Sequence, residues 1–152
     1  MSGYLIFDIG GHELAAPLAE VREVVRIDRL DVLPGLEPPV TGLMQLRGSP
    51  LPVADLRRNR AAHDASETAD GAAGDVVLLA MADGSLLGVA VDSVVAVVSQ
   101  DALIADDAGT VPTGFPSYVV GVLRRVERPD DAVFLVAMSR LVDSLVTVPV
   151  PA

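Results

Sequence analysis

Side chains able to do chemistry are sparse in this sequence. Arg47 stands in GLMQLRGSPLPVADLR, residues 42–57, two short apolar segments joined by a tight turn, with the cation just before the turn glycine Gly48. A guanidinium offers five donors in a planar fork, which suits carboxylates or carbonyls on another molecule. Arginine on a solvated hairpin end is the ordinary alternative. The two histidines, His12 in a predicted strand or turn and His63 in a polar stretch, share no spacing that would bind a metal or activate a serine. Each reads as a solvated structural histidine. The acidic pairs Asp106-Asp107 and Asp130-Asp131 lack the alternating oxygens and terminal glutamate of a calcium loop, so both read as solvated turns. Glycines in GG, ADG and LRG mark hairpins, and none opens a helix to cradle a phosphate. With no nucleophile and base to name, the expectation is a protein that is not an enzyme and has no catalytic, metal or cofactor site.

The elements that must position these residues are bounded by composition. The chain has 152 residues, 51% of them apolar, with 3% aromatic and no tryptophan. That is one ordinary domain with a core of small and branched aliphatic side chains, which favours strands. The formal charge of -10 opposes phosphate backbones and anionic lipid, so nucleic acid is excluded as a partner class. No apolar run approaches the roughly 18–20 residues of a membrane span, and the start lacks a signal-peptide pattern. The expectation is a cytoplasmic protein without direct membrane insertion. The absence of cysteine removes disulfides and thiolate chemistry together.

Tyr4 to Ile9, then Gly10-Gly11, then His12 to Leu18 reads as strand, turn and strand. In AEVREVVR, Val21, Val24 and Val25 are spaced as on one face of a short helix. Pro34, Pro38 and Pro39 force an irregular crossing before the hairpin that carries Arg47. Residues 59–75 are polar and small, the composition of a mobile loop. After them the first layout returns at a constant offset of 73, pairing Gly11 with Gly84, Leu14 with Leu87, Leu18 with Val91, Val21 with Val94, Val24 with Val97 and Val25 with Val98. Gly42-Leu43-Met44 returns as Gly121-Val122-Leu123. Two copies of one β unit follow, each with about five short strands, the pattern of a small barrel. Ser139 is a predicted N-cap for a C-terminal helix over 139–146, placed to cover the joint between barrels or one barrel end.

A barrel protein with few aromatics, no basic stripe and no catalytic group is most economically one that binds other proteins. At this point the residues resemble a family, the CheW-like domains of bacterial chemotaxis signalling. The resemblance runs through YLIFDIGGHELAAPLAEVREVV, PPVTGLMQLRGSPLPVADLR, DVVLLAMADGSLLGVAVDSVVAVV and YVVGVLRRVERPDDAVFLVAMSRLV. Its strongest piece is G-x-x-x-L-R-G-x-x-x-P-V-x-D-L-R from Gly42 to Arg57. Departures are Gln45 where the family usually has asparagine, Ala137-Met138-Ser139-Arg140 in the late segment, and Arg124, Arg125 and Arg128 with Pro129 around the second turn.

The resemblance implies a mainly β fold, a single domain over 1–152 built of two tandem five-stranded SH3-like barrels with short helices. The barrel halves fall at roughly 1–60 and 75–138, and intertwining is left open. It implies a non-enzymatic adaptor that couples the cytoplasmic tips of methyl-accepting chemoreceptors to the regulatory domain of a CheA-type histidine kinase. It assigns partner-binding positions to Arg47 and Gly42 of the L-R-G segment, to Glu23 and Val21 of a V-x-E-V motif, and to Val94 and Val97 of the second barrel's apolar patch. Two alternatives stand beside it: a small-molecule or ion sensor using the crevice between barrels, and an inhibitor that occupies the kinase without joining a receptor. The repeat adds one point, since the counterpart of Arg47 in the second copy is Val126. The β unit folds without that arginine, so its role belongs to a partner surface.

Overall fold

A computed structural model describes residues 3–27, 29–37, 40–57, 74–105, 111 and 113–146. In chain order the elements are β1 (Gly3–Ile9), β2 (His12–Pro17), a 3-10 turn (Leu18–Glu20), β3 (Glu23–Arg26), β4 (Gly42–Leu46), β5 (Ser49–Asp55), β6 (Asp75–Ala80), β7 (Leu86–Val91), β8 (Ser93–Ser99), a second 3-10 turn (Gln100–Ala102), β9 (Leu103–Ala105), β10 (Val119–Arg125), β11 (Ala132–Val136) and α1 (Met138–Val146). The strands form a six-stranded sheet ordered β8-β1-β2-β11-β10-β9 and a five-stranded sheet ordered β3-β6-β7-β5-β4. The mainly β, two-barrel architecture is the one expected.

The strand sequences show why both sheets can be buried on two sides. In β6, Val76, Val77, Leu78 and Leu79 form a continuous apolar run rather than an alternating one, and all four are buried. Val77 and Leu79 enter one cluster with Leu5, Phe7, Leu87, Val89 and Val91, while Val76 and Leu78 enter another with Met44, Leu51 and Val53. β1 divides likewise, with Ile6 facing Leu103, Leu123 and Val133. The first cluster therefore fills the joint between the sheets, and the other two fill the barrels. The hairpins β1–β2 and β6–β7 serve joint and interior together.

Those two hairpins are also exchanged between the halves of the chain. β1–β2 lies between β8 and β11, and β6–β7 lies between β3 and β5. The parallel contacts are equivalent in the two sheets: Leu135 pairs with Ala15, and Val53 with Gly88. Each barrel thus takes its first hairpin from one half and its remaining strands from the other. The halves intertwine, and neither sheet is confined to 1–60 or 75–138.

The segment read as a helix around Val21, Val24 and Val25 is corrected: it is the first 3-10 turn followed by β3. β3 lies antiparallel against β6, with Glu23 opposite Leu78 and Val24 opposite Val77. β-branched valines suit that pairing, and a helix would leave the β6 edge unpaired. The matching valines of the second copy form β8.

The C-terminal helix is present, one residue longer at its start than expected. Ser139 lies inside its first turn rather than capping it, and the N–H of Met138 donates to Glu20 Oε1 at 2.9 Å. Met138, Leu141 and Val142 are buried in the joint cluster, so α1 covers the seam between sheets. Pro38, Pro39, His63, the pair Asp106-Asp107, the loop from residue 58 to 73 and the side chain of Leu145 lie outside the described residues.

Candidate protein-docking site

The β4–β5 hairpin turns through Arg47 and Gly48, whose φ values are 49° and 84°. Both central residues lie at positive φ, the requirement of a type I′ turn, where Asn-Gly is the usual choice. Among the described non-glycine residues Arg47 alone has positive φ. A left-handed backbone at a residue with a long side chain costs about 1–2 kcal/mol.

Arg47 Nη2 donates to Glu23 Oε2, and the two side chains are 66% and 36% exposed. β3 and β4 are the opposite edges of the five-stranded sheet, so this pair reaches from one edge to the hairpin at the other. The sheet's curl brings together two residues 24 apart in sequence. An exposed ion pair contributes at most about 1 kcal/mol, so it does not by itself compensate the strained turn. The arrangement leaves an oriented guanidinium and a carboxylate at the surface, able to accept a partner's carboxylate, carbonyl or cation.

The other expected site residues fall elsewhere. Gly42 is buried, and a Cβ on it would lie 2.6 Å from Leu30 Cγ, so its small size serves packing beneath Leu30 rather than surface contact. Val21 packs against the joint core and lines a groove of about 480 Å³ with Glu20, Met138 and Val142. Val94 is half-buried against the same core, and its N–H donates to Asp75 Oδ2 at 2.7 Å. Val97 is open to solvent at 63% exposure, on β8 at the edge of the six-stranded sheet.

In addition to Val97, the structure exposes valines that sequence reasoning missed. Val95 is 45% exposed on the same strand, and Val126 in the β10–β11 turn is 53% exposed. The β1–β8 register shifts between Ile6 and Phe7, the bulge at which Val95 is extra. The repeat offsets make Ala96 and Val126 the counterparts of Glu23 and Arg47. Equivalent places in the two barrels therefore carry charge in one and apolar surface in the other. The signal was present in the alignment of the halves, where arginine faced valine.

The three arginines near the second turn are each engaged within the chain. Arg124 Nη1 donates to the Pro129 carbonyl at 3.0 Å, Arg125 Nε donates to Glu13 Oε1 at 3.1 Å, and Arg128 pairs with Asp131 at 3.7 Å. A further pair was also missed: Arg57 Nε and Nη2 donate to Asp55 Oδ1 and Oδ2 at 2.9 and 2.8 Å, with both side chains almost wholly buried. The i, i+2 spacing in Asp-Leu-Arg puts both on one side of an extended chain and was its signal. This pair borders a cleft of about 710 Å³ between the sheets, lined by Leu14, Phe115, Tyr118 and Phe134. Exposed His12 also borders it. Among the described residues no group of three or more histidine or acidic side chains is placed to hold a metal ion. No described helix is long and apolar enough to cross a membrane.

Comparison with known proteins agrees with this architecture. The sequence matches the family model described as CheW-like domain over residues 3–146. A search of the curated proteins returned no match. Among solved structures, the scaffolding protein TtCheW from Thermoanaerobacter tengcongensis is similar in fold, with a TM-score of 0.61 at 19% identity, covering 90% of this chain and 88% of that one.

Proposed function

This chain belongs to the CheW-like domain family, and from that premise we propose that it is a non-enzymatic adaptor. It couples the cytoplasmic tips of methyl-accepting chemoreceptors to the regulatory domain of a CheA-type histidine kinase, on the cytoplasmic side of the membrane. One observation carries the reading: the two barrels present unlike surfaces, the exposed Arg47–Glu23 pair on one and exposed Val95, Val97 and Val126 on the other. A module that must hold two unlike partners needs two unlike faces on one rigid body. A charged, oriented pair selects polar groups, and exposed valines on a strand edge select an apolar surface.

The test is a pull-down of the purified chain with kinase regulatory domain and with receptor tip, each supplied at tens of micromolar. Wild type is expected to retain both. Arg47→Glu is expected to lose one partner and Val97→Asp the other, while circular dichroism shows both variants folded. Val97 is the probe rather than half-buried Val94, since an aspartate at Val94 would disturb the joint. Absence of both complexes with wild type would falsify the adaptor reading. Kinase binding without receptor binding would instead indicate an inhibitor.

A second reading rests on the cleft between the sheets. Its volume of about 710 Å³ and its aromatic lining lie in the range of small-molecule sites. A ligand seated there would raise the melting temperature by mass action. A thermal-shift screen of small apolar compounds that moves nothing removes this reading.

A further inference from the structure

The seams between hairpins have a common property. β1 against β8, β2 against β11, β3 against β6 and β5 against β7 each join a strand before residue 58 to one after residue 73. Each of the three buried clusters is mixed in the same way. Met44, Leu51 and Val53 meet Val76, Leu78 and Ala90 in one barrel, and Ile6 and Ala15 meet Leu103, Leu123 and Val133 in the other. In the joint, Leu5, Phe7, Leu14 and Ala16 meet Val77, Val89 and Val136.

Taken separately, the first half contains the hairpins β1–β2 and β4–β5 and strand β3. The second contains β6–β7, strand β8 and β9–β10–β11. A lone two-stranded hairpin is at best marginal in water, and the apolar face of β10 and β11 takes part of its cover from Ile6 and Ala15. Arg57 and Gly74, which bracket the remaining residues, lie close enough that a Cβ on Gly74 would be 2.7 Å from Arg57 Cδ.

We propose that the two halves of this chain are a recognition pair that needs no covalent link. Residues 1–57 have as their partner a complementary 74–146 half, and each orders the other as it binds. The four strand seams named above carry the association, and joining the halves in one chain contributes effective concentration.

The test uses the full-length chain with a site-specific protease sequence in place of residues 62–67. Before cleavage this protein must elute and melt as wild type does; where it does not, the site is moved to residues 68–72. After complete cleavage at tens of micromolar, the halves are expected to elute together at the intact volume. Their melt is expected to stay cooperative but to become bimolecular, so that its midpoint rises with each tenfold increase in protein concentration. The midpoint of the uncut chain stays fixed. Asp8 and Ser93 are register partners across β1 and β8, and in a chain with no native cysteine the double variant Asp8→Cys, Ser93→Cys rejoins the halves by disulfide. That variant is expected to lose the concentration dependence after cleavage. Elution as two separate species, or a midpoint that ignores concentration in the cut chain without the disulfide, overturns the proposal.

Discussion

At Arg47 the requirements of the turn and of the surface part company. The positive φ of 49° asks for asparagine or glycine, and the exposed pair with Glu23 returns little stability. Arg47→Asn is therefore expected to leave urea stability unchanged or raised, within about 1 kcal/mol, while weakening the complex it serves by tenfold or more. A parallel loss of stability and binding would make the arginine structural. The arginine was legible as a lone cation in an apolar hairpin, and Glu23 from the family motif. Their contact was not, because it depends on the curl that brings β3 toward the β4–β5 turn. Asp83 adds a pH response at the same scale. The Ser85 hydroxyl and then the Ser85 N–H, at 2.6 and 3.0 Å, hold its carboxyl below the ordinary 3.8. Such a group favours the folded turn above 3.8, and that contribution fades as pH falls through its lowered value. Nuclear magnetic resonance of the Ser85 amide is expected to titrate below 3.8, and Asp83→Asn to abolish the transition.

At the scale of elements, close packing and capping decide what substitutions cost. A Cβ on Gly88 would lie 2.7 Å from Val76 Cγ1 and 3.1 Å from Leu51 Cδ2, inside the barrel where β7 meets β5. Gly88→Ala is expected to lower stability by about 1–3 kcal/mol, read from urea denaturation. Glu20→Ala removes the carboxylate from the start of α1 and is expected to cost about 1 kcal/mol, with faster amide exchange in the first turn of that helix. The strands themselves were legible as alternating or continuous apolar runs bounded by glycine turns. The segment around Val24 was not, since its valines fit one helical face and one strand equally, and only the open edge of β6 decides between them. Ser139 failed as a cap for a similar reason: Glu20, 118 residues away, accepts from Met138 instead.

For the whole molecule, two faces of opposite chemistry predict separable losses. Arg47→Glu and Val97→Asp lie on different sheets and share no contact described above, so their effects on assembly should combine additively. Sedimentation of kinase, receptor tip and adaptor together is expected to show each variant failing with a different partner. Failure of both with the same partner would place the two surfaces in one interface. The repeat that creates these faces was visible in sequence at an offset of 73, and so was the barrel class. The exchange of hairpins between halves was not, because equivalent strands such as β1 and β6 carry similar apolar patterns and only packing assigns each to its sheet.

That exchange also sets a timetable for synthesis. β2 is complete at Pro17, but its neighbour β11 ends at Val136, 119 residues later. At roughly 5–20 residues per second a ribosome takes about 6–24 s to cover that interval. Through it the β1–β2 hairpin stays without its β11 neighbour. Chaperone capture of nascent chains should therefore peak between these two lengths and end when β11 clears the exit tunnel.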